Sequence, residues 1–244
     1  MPDSANSETS IDEIADGIYR ISTPVPPNDE LPLGFSFNQY LIHDQEPLLY
    51  HTGLRQLFPV TRAAIERVMP IDKLRYIAFS HFEADECGAL NEFLAVAPKA
   101  EPLCGDVAAM VSVGDVADRP PRAMADGESV NLGQHRVTWI ATPHLPHAWE
   151  CGHMFEQTTR TLFCGDLFTQ PGDVHPPVTE QDILESSEAM RGAMDYYSHT
   201  KDSAALIDKL AEFEPVMLAC MHGSAWRGDG ASLLRALGDR LSSK

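Results

Sequence analysis

An imidazole and two carboxylates stand at alternate positions in the segment SHFEADECGAL: His81, Glu83 and Asp85. Alternate side chains of an extended or turning loop can converge on one side. Together they offer borderline and hard donors, a mixture suited to iron, manganese or zinc. Alone, the cluster fits a solvated acidic loop equally well, because charged loops are common. Three further groups change the balance. HRVTWIATPHLPHAWE carries His144 and His147, TLFCGDLF carries Asp166, and VMLACMHGSAW carries His222. Each follows an apolar run. A carboxylate closing a run such as TLFCG is costly to desolvate unless a cation or donors meet it. Singly, His222 reads as a core histidine and Asp166 as a turn cap. Arriving in this order at the ends of four apolar runs, they read as metal ligands. Cys87 and Cys164 stand beside these candidates, where a small buried apolar role suits a cysteine better than ligation.

The elements that must position these groups alternate between strand and helix. GIYRIS, SFNQYLIH and EPLLYHTG read as strands, followed by helical spacing over 58–68 and the buried strand LRYIAFS. A helix is expected to start near Cys87, after Gly88 turns the backbone, and a strand–helix pair around 100–111. Residues 114–130, rich in Asp, Pro, Arg and Gly, read as a surface connection. HRVTWIAT, GHMFEQ and TRTLFCGD follow as strands, with a tight turn near Thr158–Arg160. Helical patterns fill 179–191 and 198–213, PVMLACMH is another buried strand, and 230–243 is a closing helix. Strands, a β/α stretch, strands again and a second β/α stretch point to two face-to-face β-sheets with helices outside. Residues 1–10 are expected as a disordered polar tail and 11–244 as one domain.

Composition narrows the partners. The 244 residues carry 18 basic and 36 acidic side chains, a formal charge of −18. Nucleic acid and anionic membranes need clustered Lys and Arg, so neither is an expected partner. No apolar run reaches bilayer length, and MPDSANSETS lacks the basic and apolar regions of a signal peptide. Five cysteines, an odd count without a C-x-x-C pair, argue for a reducing cytoplasm over a disulfide framework.

The order His-x-Glu-x-Asp, then His, Asp and His, resembles the metallo-β-lactamase superfamily. The Glu of the first motif resembles its flavodiiron and oxygen-binding diiron branch, where hydrolytic zinc members usually carry His-x-His-x-Asp-His. GFSFNQYLI and the stretch from YYSHTKDSAALIDKL to MHGSAWRG are similar to the same branch, so the resemblance covers roughly residues 15–230. It implies a four-layer αββα metallo-β-lactamase fold and two iron ions, with zinc or manganese as substitutes. It further implies one metal on His81, Glu83 and His147, another on Asp85 and His222, and Asp166 bridging them. Three carboxylates against two divalent ions leave room for a bridging hydroxide, and an anionic bridge offsets the repulsion between close cations. Three positions depart from the pattern. Glu86 stands where the superfamily normally has His, and that loss would cripple the second site of a zinc hydrolase. The resemblance implies that the flavodiiron branch tolerates it, since that His is often not a ligand there. Glu86 itself could bind metal or accept a hydrogen bond. His51 stands where Asp is frequent, which would alter support for a ligand. The third motif has an extra residue, making His144 a rival to His147; His147 is favoured because Trp149 and Glu150 then align. The resemblance implies that Tyr196 or Tyr197 could approach the metals, although core packing is favoured for both. Met110, Met190 and Met194 are expected as core, and His153, His175 and His199 as surface or structural groups.

The resemblance thus implies a non-haem diiron protein that binds or reduces dioxygen or nitric oxide, as a sensor or a reductase. Reducing dioxygen takes four electrons, whereas two irons changing by one unit supply two. Related reductases add a flavodoxin domain with FMN; no such domain is expected in this chain, so a separate redox protein would donate. The alternative is a metal-dependent hydrolase of an ester, lactone or phosphodiester that uses a metal-bound hydroxide. No feature of the sequence fixes an oligomeric state.

Overall fold

The structure, a computed structural model, describes residues 8–29 and 31–242. The part of the expected tail over 1–7 lies outside them, whereas Ser10 already opens the first strand. Two seven-stranded sheets face each other. The first runs β1 (Ser10–Ala15), β2 (Ile18–Val25), β3 (Phe35–Ile42), β4 (Leu48–Tyr50), β5 (Tyr76–Ala78), β6 (Glu101–Gly105) and β7 (Arg122–Met124) in chain order. The second is ordered β12 (Val178–Thr179), β14 (Ala225–Arg227), β13 (Met217–Cys220), β11 (Thr161–Gly165), β10 (Gly152–Glu156), β9 (Arg136–Ala141) and β8 (Ser129–Asn131). Residues expected as a plain connection over 114–130 therefore include β7 and β8, one in each sheet. Each strand has three residues in a polar context, too short to show a period.

Period-two alternation assigns the layers. Along β3, Tyr40 and Ile42 face the second sheet and join Trp139, Met154 and Phe163, while Leu41 faces outward. That outer face packs on α1 (Phe58–Ile65) and α3 (Leu90–Val96) through Ala64, Ile65, Leu90, Phe93 and Leu94. In β11, Phe163 points inward while Leu162 and Cys164 point outward, against α4 (Leu184–Met194), α5 (Ser203–Ala211) and α6 (Gly230–Ser242). The result is an αββα sandwich, as the sequence indicates. Between strand β5 and α3 lies the short helix α2 (Ala84–Cys87).

Strand directions then place the chemistry. Strands β11 and β13 are parallel, and β9 runs the same way because β10 is antiparallel to both β9 and β11. Their C-terminal ends share one edge of the second sheet, which is where His147, Asp166 and His222 follow. Strand β5 ends against the same edge, with the Gly152 N–H donating to the Ser80 carbonyl at 2.9 Å.

Two methionines differ from expectation. Met110 is 74% exposed and Met194 is 57% exposed. Met110 sits in a wide π-turn, which rotates the helical face away from the core, and Met194 closes α4 at the rim of the cluster. No helix among the described residues is long and apolar enough to cross a membrane.

Candidate metal centre

Four loops bring six side chains together. After β5 the chain bends over 80–82 and is extended at Glu83 (φ −139°, ψ 160°), which brings His81 and Glu83 together, and Asp85 follows in the first turn of α2. His81 Nε2 lies 2.9 Å from Glu83 Oε2 and 2.9 Å from His147 Nε2, and His147 Nε2 lies 3.0 Å from the same Glu83 oxygen. Asp166 Oδ2 faces this group, 3.3 Å from His147 Nε2 and 3.6 Å from His81 Nε2. Donor atoms of His81, Glu83, His147 and Asp166 all fall within 4.8 Å of one another, a set able to hold a metal ion. The other Asp166 oxygen, Oδ1, looks the opposite way, 3.3 Å from His222 Nε2, which is 3.6 Å from Asp85 Oδ2. The six groups thus form two donor sets that meet at one carboxylate.

The turns that deliver Asp166 and His222 need glycine. Gly165 has φ +49°, and a Cβ there would lie 2.8 Å from Ser80 Oγ. Gly223 has φ +96°, and a Cβ would stand 2.5 Å from the Gln170 side chain. The His222 loop is held from below by the first sheet. Asn38 Nδ2 donates to the Cys220 and Gly223 carbonyls, Tyr40 OH to Cys220 O at 2.6 Å, and the buried Arg20 to Gly223 O at 2.8 Å. Phe35 stacks on the His222 ring, with centroids 4.3 Å apart.

Backbone carbonyls select the ring tautomers. His147 Nδ1–H donates to Tyr196 O at 2.9 Å, and His222 Nδ1–H donates to Ser36 O at 2.8 Å. In each neutral ring the Nε2 lone pair therefore faces carboxylate oxygens. Lone pairs aimed at anions repel unless a proton or a cation stands between them. Asp166 Oδ1, buried and without a hydrogen-bond partner, is in the same position. This is the arrangement of a metal site whose histidines are oriented by their second nitrogen.

The charges agree. Burial opposes a charge on His81, yet Glu86, Glu83 and Asp166 outweigh it and hold its pKa well above the ordinary value. His222 is likewise raised: burial works against it, while Asp166 and then Asp85 prevail. Hydrogen bonds from His147 and His81 draw Glu83 down to about 2. Burial pushes Asp85 up to about 6, with Glu86, Asp166 and Glu83 adding to the effect and His222 opposing it. Burial and the neighbouring carboxylates together make the charged form of Asp85 unfavourable, and a cation beside it would relieve both.

The remaining candidates separate cleanly. His144, at φ 66°, lines a different pocket with Lys201 and His199, so His147 is the histidine that reaches the cluster. Glu86 and His51 are fully buried and paired with each other, behind His81. Cys87 donates to Glu83 O, and burial pushes its thiol up to about 12; all five cysteines are buried and unpaired in disulfides. His153 is buried, donating from Nε2 to Cys164 O at 3.1 Å and accepting from Thr142 at Nδ1. Tyr196, expected as core, instead borders the centre: its hydroxyl donates to Asp166 O at 3.1 Å as its carbonyl orients His147. The resemblance offered Tyr196 or Tyr197 for this place, and the loop fold brings Tyr196 there.

A cavity of about 130 Å³ opens on the cluster, lined by Phe35, Glu83, Asp85, His147, Asp166, Thr169, Met194, Tyr196 and His222. A larger groove of about 750 Å³ lies across the 82–88 loop and shares only Glu83 with the cluster. Among the described residues no second set of metal donors converges there, so the small cavity is the chemically equipped one.

The fold and its converging donors define a protein of the metallo-β-lactamase fold with a candidate two-metal centre. A family model described as "ODP family beta lactamase" matches residues 35–223, most of the chain, and the chain belongs to that family. It is 26% identical over 212 residues to a nitric oxide reductase of Moorella thermoacetica, covering 83% of this chain and 52% of that protein. It is 24% identical over 208 residues to a rubredoxin-oxygen oxidoreductase of Megalodesulfovibrio gigas, covering 81% and 50%. The chain thus spans about half the length of these curated relatives. A variant flavo di-iron protein from Thermotoga maritima superposes with a TM-score of 0.83 at 18% identity, over 97% of this chain and 62% of that one. The metal-soaked flavodiiron core from Synechocystis sp. gives 0.81 at 20% identity, over 96% and 60%.

Proposed function

We propose that this chain, with residues 11–244 acting as one domain, is a non-haem diiron protein that binds or reduces dioxygen or nitric oxide. One iron would be held by His81, Glu83, His147 and Asp166, the other by Asp85, His222 and the same Asp166. The observation that carries this reading is the two-faced Asp166 carboxylate, with a separate donor set against each oxygen. When bound, two ferrous ions supply one electron each and open coordination positions for a diatomic ligand. The residues of the chain do the rest. Tyr196 O and Ser36 O aim the lone pairs of His147 and His222, and three carboxylates balance most of the metal charge. Glu83 in place of a second histidine favours iron over zinc, because anionic oxygen stabilises the higher oxidation state.

The cavity supports the ligand class. At about 130 Å³ it is well below the roughly 300–1,000 Å³ typical of pockets for larger organic ligands, so a diatomic gas suits it better than a lactone or phosphodiester. The curated relatives described above are named as reductases of nitric oxide or oxygen, which likewise does not favour the hydrolytic alternative. Multiple turnover on dioxygen requires an electron donor beyond the two irons, and binding without turnover would serve a gas sensor. Five cysteines without a disulfide fit a reducing cytoplasm.

The test is gas uptake by anaerobic, iron-loaded protein. Uptake of about one dioxygen per two irons, becoming catalytic with a chemical reductant, is the expected result. No uptake of dioxygen or nitric oxide, together with hydrolysis of ester or lactone substrates, would contradict the reading.

A further inference from the structure

Glu86 follows Asp85 directly on α2, yet its carboxylate takes no part in the centre. It is fully buried, pairs with His51 Nε2 through Oε2, and turns Oε1 towards His81 Nδ1 at 3.9 Å. That ring nitrogen lies on the side of His81 away from Glu83 and His147, so the carboxylate stands behind the cluster and outside the cavity wall. The pair is anchored at both ends. His51 N–H donates to Ala78 O at 2.8 Å, and Thr52 N–H donates to the Glu86 carbonyl at 2.8 Å. His51 also holds φ +63°, a left-handed conformation that a non-glycine residue keeps only when its surroundings impose it.

The two departures from the superfamily pattern are therefore one feature. Where that pattern frequently has Asp at 51 and normally has His at 86, this chain has the imidazole at 51 and the acid at 86, in contact. The exchange moves the imidazole to the side remote from the cavity. We propose that His51 withholds Glu86 from the metals, and that this reversed pair makes the two metal positions unequal, with four side chains converging on the first and three on the second. The inference rests on the diiron reading above and adds an order of loading. The set of His81, Glu83, His147 and Asp166 fills first. The set of Asp85, His222 and Asp166 fills second and keeps an additional position open to the gas.

Calorimetric titration of the metal-free full chain with Fe(II), without oxygen, tests this against the double variant H51D/E86H. Repulsion between two cations separates the binding steps in any such centre, so the informative quantity is how that separation changes. Restoring the usual order should tighten the second step by about tenfold or more, by analogy with the ligand-support effects of 10–100-fold, and leave the first nearly unchanged. Each single variant, His51→Asp or Glu86→His, should melt below the wild type, because it buries two like groups against each other. The double variant should recover most of that loss. An unchanged second step, or single variants as stable as the double, overturns the proposal. A structure of the iron-loaded wild type gives an independent reading: Glu86 should remain on His51, and a Glu86 oxygen bonded to either iron overturns the proposal whatever the variants do. Wild-type protein that saturates below two irons defeats the diiron reading and this inference together. Two irons bound with an unaltered separation in the double variant defeats this inference alone.

Discussion

Replacing Asp85 by asparagine should stabilise the metal-free chain while weakening its hold on metal. Burial, reinforced by Glu86, Asp166 and Glu83, lifts the Asp85 carboxyl from 3.8 to about 6 in the folded protein. The folded pKa is raised, so folding is favoured most when the group is protonated in both states, below about pH 4. That advantage is lost as pH rises through about 6, beyond which the native state carries an unfavourable charge. At about 1.36 kcal/mol per pH unit, the difference corresponds to about 3 kcal/mol above pH 6. The side chain is 21% exposed, which lowers the expected gain to about 1–3 kcal/mol. For a chain of this size that is a rise in Tm of about 2–12 °C. Thermal or urea unfolding with a chelator present, at about pH 8 and about pH 4, measures it. Asp85→Asn should exceed the wild type at the higher pH and converge with it at the lower. Saturating Fe(II) should reverse the order, since the variant lacks a donor of the second set. A variant no more stable than wild type at high pH, or a gain undiminished at low pH, would refute the reasoning.

Other consequences follow from the same geometry. Asp166→Ala should deplete both metals, whereas His147→Ala should weaken retention by about 10–100-fold or more and His144→Ala should leave it unchanged, as elemental analysis after dialysis would show. Glu83→His should move the iron-to-zinc preference towards zinc in a competition assay; an unchanged ratio would count against the role given to Glu83. Neighbouring carboxylates raise His81 and His222, so in the metal-free chain protons compete with metal at these rings. Apparent affinity in a chelator competition should therefore fall as pH decreases, with protons released on binding. Tyr40→Phe removes a buried 2.6 Å hydrogen bond to Cys220 O and should cost about 1 kcal/mol, read as a Tm lower by about 2–4 °C.

The six metal-site candidates were legible because strongly apolar strands stop at them: β5 before His81, β11 before Asp166 and β13 before His222. Buried strands with one-sided packing write their period and their ends into the sequence. Strands β1, β7, β8, β12 and β14 do not. They are short or lie at sheet margins, where pairing with a neighbour rather than local composition makes the strand. The choice between His144 and His147 turned on a loop in which His144 adopts φ 66° and faces another pocket. The choice of Tyr196 over Tyr197, and the His51–Glu86 pair, were hidden for a similar reason. Both contacts join segments distant in sequence, and no local pattern encodes which buried polar groups meet.

The central claim is a two-iron centre, and metal content measured together with oxygen response tests it most directly. Protein purified without oxygen should contain about two irons per chain, and admitting air should produce a new visible absorption band. Zinc in place of iron, with a spectrum indifferent to oxygen, would contradict the account and leave only the fold and the donor geometry standing.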